Sequence, residues 1–120
     1  MSRFIIIFFC SLLTQQTQKS YYSLFPKREV LIRTNKKIVI VYFQYYNHFK
    51  SPIIINDVIA SCGCVTIEYP KKVILMKERG HIQMKLNLRS IHGYFSKSIY
   101  LYVNNSKEPI ILRATGYTNQ

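Results

Sequence analysis

From residue 37 to residue 115 the chain consists of short apolar stretches, separated by turn residues, in which inward and outward side chains alternate. The clearest stretch is 81–89. Ile82, Met84, Leu86 and Leu88 fall on one parity, and Gln83, Lys85, Asn87 and Arg89 on the other. A strict period of two marks a strand with one face on a core and one in water. The next stretch sets Phe95, Ile99, Leu101 and Val103 against Tyr100 and Tyr102. The last sets Ile110, Leu112 and Ala114 against Ile111, Arg113 and Thr115, and Gly116 ends it. Residues 37–45 are apolar on both parities, with Ile38, Ile40 and Tyr42 on one side and Val39, Val41 and Phe43 on the other. That pattern predicts a central strand covered on both faces. Further strands are expected over 29–33 (an edge), 53–60 (with Ile53, Ile55 and Ile59 on one parity), 65–69 and 73–76. Turns are expected at 47–52, at Gly80, at 91–93 and at 104–106. Seven or eight short strands without a helix make an all-β protein, either an immunoglobulin-like antiparallel β-sandwich or a small barrel.

Composition agrees with the pattern. Only two alanines occur among 120 residues, while Ile, Val, Tyr and Phe, which suit pleated surfaces, are abundant. The N-terminal stretch does not belong to the sandwich. Arg3 and the amino terminus precede the apolar residues Phe4 to Leu13, and polar residues 14–18 follow. This order predicts a signal peptide over 1–18, cut between Thr14 and Lys19, with an apolar run too short to span a bilayer. Lipid anchoring at Cys10 is disfavoured, because Ile7, Phe8 and Phe9 stand where a lipoprotein signal carries small residues. A loose segment over 19–28 and one domain over 29–117 complete the expected organisation. The exported chain is placed in the periplasm or cell envelope, with no stable membrane span once the signal is removed.

The charge is strongly basic, 17 Lys and Arg against five acids, a net +12. The cations are scattered, and their longest runs are the pairs Lys36-Lys37 and Lys71-Lys72. A nucleic-acid site needs a localised stripe, so no nucleic-acid partner is expected. Binding to a polyanion stands as an alternative.

Residues 43–116 resemble an exported bacterial family, the domain of unknown function fifteen-seventy-three. An aromatic-rich strand leads to an Asn and a Pro, here Phe43, Tyr45, Asn47 and Pro52. An Ile-rich strand then runs into Ser61, Cys62, Gly63 and Cys64. Tyr69-Pro70, Gly80, the set Gly93, Phe95, Lys97 and Ile99, the step Val103 and Asn105, and Gly116 complete the likeness. Two departures lie in expected turns. Phe49 stands where the family usually has Gly, and Met76-Lys77 where it usually has Pro-Gly. The resemblance implies an immunoglobulin-like fold, related to the major-sperm-protein and Hydin-type domains, and an exported location. It implies no established activity.

With the signal removed, Cys62 and Cys64 remain. They fit a disulfide in an oxidising compartment, a pair of small apolar thiols in the core, half of a metal site completed by His48, His81 or His92 or by a second chain, or a redox pair. No nucleophile motif, phosphate loop or metal-binding helix motif is present, so neither a catalytic residue nor a cofactor is assigned. Tyr100, Tyr102 and Arg113 form a candidate interaction patch, since aromatics and Arg favour interfaces. Asn104, Asn105 and Ser106 match a glycosylation sequon but read as a turn. The expected function is that of a non-enzymatic envelope module, either structural or binding a protein or glycan partner that the sequence does not name. Thiol redox or metal handling through Cys62 and Cys64 is the other alternative.

Overall fold

A computed structural model describes residues 20–119; the expected signal peptide, and Cys10 within it, lie outside the described residues. Seven strands form two layers. In chain order they are β1 (Glu29–Thr34), β2 (Ile38–Tyr46), β3 (Ile55–Ala60), β4 (Val65–Glu68), β5 (Arg79–Asn87), β6 (Gly93–Val103) and β7 (Ile110–Thr118). One sheet runs β1-β7-β6-β3 and the other β2-β5-β4. Neighbouring strands are antiparallel except β1, which lies parallel to β7. This is an immunoglobulin-like β-sandwich.

The alternation read from the sequence packs the core. Ile82, Met84, Leu86 and Leu88 from the three-stranded sheet meet Ile99, Leu101, Val103, Leu112 and Ala114 from the four-stranded one, and all are buried. Each of these side chains larger than alanine contributes about 1.5–3 kcal/mol through burial. Two elements differ from expectation. β2 is an edge strand, paired with β5 alone. Val41 and Phe43 point into the core, while Ile38, Ile40 and Tyr42 remain exposed on the outward face. In β3 the register shifts between Ile55 and Asp57. The extra residue switches the parity: Ile53 and Ile55 are buried, but Ile59 faces water and Val58 and Ala60 turn inward.

The connections are also more specific than their composition suggests. Residues 20–28, expected to be loose, form a 3₁₀ turn at Tyr22–Leu24 and bury Leu24 and Phe25 in the core. The stretch 73–76 is no strand; Ile74 makes a single bridge to Ile53. Gly80 lies inside β5, and the turn comes before it, closed by a bond from the Glu78 N–H to the Leu75 carbonyl at 3.1 Å. β7 runs past Gly116 to Thr118.

Two asparagines fasten the loops. Asn47 is fully buried; its amide donates to the carbonyls of Ile74 at 3.0 Å and Ser51 at 3.3 Å, and its side-chain oxygen accepts the Phe49 N–H at 2.9 Å. A buried amide satisfied on this many sides is costly to lose. Asn104 accepts the Ile54 N–H at 2.8 Å and donates towards the Tyr21 hydroxyl at 3.3 Å. The family-like Asn47 is therefore a structural pin, and Asn104 and Asn105 form the expected turn.

Candidate functional site

The expected patch residues lie together on the outward face of the four-stranded sheet. On β6 the outward parity carries Tyr94, Ser96, Ser98, Tyr100 and Tyr102; on β7 it carries Ile111, Arg113, Thr115 and Tyr117. Register sets Tyr100 against Ile111 and Ser98 against Arg113. The Arg113 Nε–H donates to the Ser98 hydroxyl at 3.1 Å, which ties its guanidinium group to the neighbouring strand β6. Tyr100 and Tyr102 are half-buried and Arg113 is exposed.

The same face extends further than those three residues. At its other end Tyr94 is 86% exposed and meets Tyr117 edge to face, with ring centroids 4.9 Å apart. Arg33 on β1 sits 5.8 Å from the Tyr117 ring centroid, within cation–π range. Leu31, beside it on β1, is 82% exposed. Leu31, Arg33, Tyr94, Ser96, Thr115 and Tyr117 line a shallow cavity of about 770 Å³. Sequence reasoning passed over Tyr94 and Tyr117, although a parity count from Tyr100 or Arg113 reaches both. Leu31 and Arg33 carried no such signal, because nothing local announces that β1 pairs with β7, more than eighty residues away along the chain.

The cysteines lie elsewhere, in the turn between β3 and β4. Their Cα atoms are 5.4 Å apart and their sulfurs are at disulfide-bonding distance. A bond from the Val65 N–H to the Cys62 carbonyl at 3.3 Å folds this segment into a turn, which brings the two Cα atoms closer than an extended strand would. Both cysteines pack against the core. Gly63 between them has open space around it and no left-handed conformation.

The histidines are dispersed. His48 hydrogen-bonds the Ser23 hydroxyl at 2.7 Å and stacks on Phe49, and His81 meets Tyr42 edge to face. Among the described residues no group of three or more His, Cys, Asp or Glu could hold a metal ion. Nor is any helix among them long and apolar enough to cross a membrane. Burial, and then the nearby Glu78 carboxylate, hold the Tyr45 hydroxyl above the usual tyrosine range.

No curated protein matches the chain. Among solved structures, one similar fold is a protein of unknown function from Porphyromonas gingivalis W83, at 7% identity and a TM-score of 0.67, covering 76% of this chain and 44% of that one. Another is the VesB protease of Vibrio cholerae, at 10% identity and 0.64, covering 92% and 35%. A third is a GH5 xyloglucanase of Bacteroides ovatus bound to a XXXG heptasaccharide, at 5% identity and 0.50, covering 76% and 17%. The chain thus spans less than half the length of each, and these likenesses speak for the sandwich fold alone. The family described as "Protein of unknown function (DUF1573)" matches residues 29–118, nearly the whole of the described sandwich, and the chain belongs to that family.

Proposed function

We propose that this protein is a non-enzymatic, exported module of the cell envelope that binds a protein or glycan partner through the outward face of its four-stranded sheet. One observation carries the reading: Tyr94 and Leu31 stand 86% and 82% exposed beside Tyr117, Arg33 and a shallow cavity. Exposed aromatic and aliphatic groups gathered at a concavity are costly in water, and contact with a partner relieves that cost. Tyr and Arg are also the side chains that dominate binding hot spots. Tyr100, Tyr102 and Arg113 continue this surface along the same sheet. Export rests on the signal-like order of residues 1–18, and a disulfide between Cys62 and Cys64 would suit that compartment.

Site-specific photo-crosslinking in intact cells tests the reading. A photoreactive side chain at Tyr94 or Tyr102 is expected to trap one discrete envelope partner. The same group at Thr66, on the opposite sheet, is expected to trap none. Equal labelling from all three positions, or none from any, would remove the proposal.

A further inference from the structure

The outward edge of β2 presents a different surface, independent of the face just described. β2 pairs only with β5. The Leu88 N–H donates to the Lys37 carbonyl at 2.7 Å. With the β2–β5 register, this makes 39, 41, 43 and 45 the hydrogen-bonded positions. The N–H and C=O groups of Ile38, Ile40, Tyr42, Gln44 and Tyr46 therefore point away from the sheet. Among the described residues no strand or loop pairs with them. In immunoglobulin domains of the constant type a first strand covers this flank. Here β1 joins β7 instead and leaves it open.

The other three edges are blunted. β3 carries a bulge, and the Asp57 carboxylate accepts the neighbouring Val58 N–H. β4 is only four residues long. β1 puts Glu29 and Arg33 on its outward parity. β2 has none of these protections: its nine residues, IVIVYFQYY, include no charge, proline or glycine. Edges of this length and composition normally carry a safeguard against pairing with another chain. A gap of about 320 Å³ runs beside Tyr42 and Gln44, walled by Pro26, Lys27 and Val30.

We infer that the edge of β2 accepts an extended peptide segment of a partner protein as an additional strand, and that this segment is acidic. Strand addition supplies the missing donors and acceptors at the spacing β2 offers. Charge fixes the partner's chemistry. No acid lies between Asn35 and Tyr46, whereas Lys36 and Lys37 flank the start of the strand and Lys27 lines the gap. Glu29, two residues beyond Lys27, lies on the other sheet opposite Arg113. A second copy of this chain would bring the same cations and the same +12 charge to the contact. A nucleic acid would match the charge but lacks amides at strand spacing.

The probes are two end-blocked, dye-labelled peptides, one of four Val-Glu repeats and one of four Val-Lys repeats, titrated against the full chain. The Val-Glu peptide is expected to bind at least roughly tenfold more tightly than the Val-Lys peptide. It should also slow amide exchange at Ile38, Ile40, Tyr42, Gln44 and Tyr46, leaving Val39, Val41 and Phe43 as they were. Tyr42→Pro deletes one outward N–H at a position where an edge tolerates proline, and roughly tenfold weaker binding is expected. Lys27→Glu combined with Lys36→Glu should weaken binding without touching the backbone, which keeps the test decisive if the proline variant does not fold. Equal binding of both peptides, no selective slowing of exchange, or wild-type binding by the lysine variant overturns the inference. So does self-association of the wild-type chain through this edge, which would make a second copy its occupant.

Discussion

Lys77 holds a φ of +69°, in the left-handed region that side chains with a Cβ disfavour by about 1–2 kcal/mol. With the bond from Glu78 to the Leu75 carbonyl, this makes Leu75–Glu78 a type II turn, Met76 and Lys77 being its two central residues. The ideal occupants of those positions are Pro and Gly, the pair that the sequence reading noted as usual in related chains. Met76 is half exposed and no backbone bond uses its N–H, so a proline ring is accommodated there. The double substitution Met76→Pro with Lys77→Gly is expected to stabilise the fold. Relief at Lys77 is partly offset by the greater freedom of glycine in the unfolded chain, and proline adds about 0.4–1 kcal/mol. A net gain of about 1 kcal/mol would raise Tm by roughly 4–8 °C in a domain of this size. A fall in Tm would show that the backbone here is not left-handed. The turn was visible in the sequence as a departure from a pattern; its strain was not, because a lysine gives no local sign of a positive φ.

At the scale of the elements, Gly116 decides where β1 can lie. A Cβ on Gly116 would run into the backbone carbonyl of Ile32. β1 therefore comes in against β7 at a depth only glycine permits, and Ile32 can join the core. Gly116→Ala should cost roughly 1–3 kcal/mol, as overpacking does. The loss should be local: amide exchange across Glu29–Thr34 is expected to quicken well before that of β5. A uniform loss of protection would mean that β1 unfolds only with the whole sandwich. From the sequence this glycine reads as a strand end, since glycine marks stops and close approaches equally well. The same division between face and neighbour explains what was legible. Side-chain parity reports which face is buried, so β5, β6 and β7 and the shared face of Tyr100, Tyr102 and Arg113 were readable from alternation. Parity does not report how many neighbours a strand has, so β2, apolar on both sides, carries the pattern of a central strand although it is an edge. Nor does it register an inserted residue, so Ile59 shares the parity of Ile53 and Ile55 in the sequence, whereas the bulge at Ile55–Asp57 puts it on the opposite face.

For the molecule as a whole, 17 cations stand against five acids, and residues 29–118 hold 13 of those cations and all five acids, a net +8 gathered into a small sandwich. Compaction brings like charges together, so self-repulsion opposes folding. In about 0.01 M salt the screening length is roughly 30 Å, and nearly every cation acts on every other; in about 0.15 M it falls to roughly 8 Å, and only neighbours do. Tm is therefore expected to rise by several degrees over that range of sodium chloride and then to level off. A flat or falling Tm would mean that the scattered cations are already compensated by local partners. Binding of an acidic strand at β2 must respond with the opposite sign, because salt screens an attraction there. One salt titration of the free chain and of its peptide complex separates the two effects: screening that steadies the fold should loosen the complex. A complex that tightens with salt would assign its affinity to apolar contact alone and leave Lys27, Lys36 and Lys37 without a role at that edge.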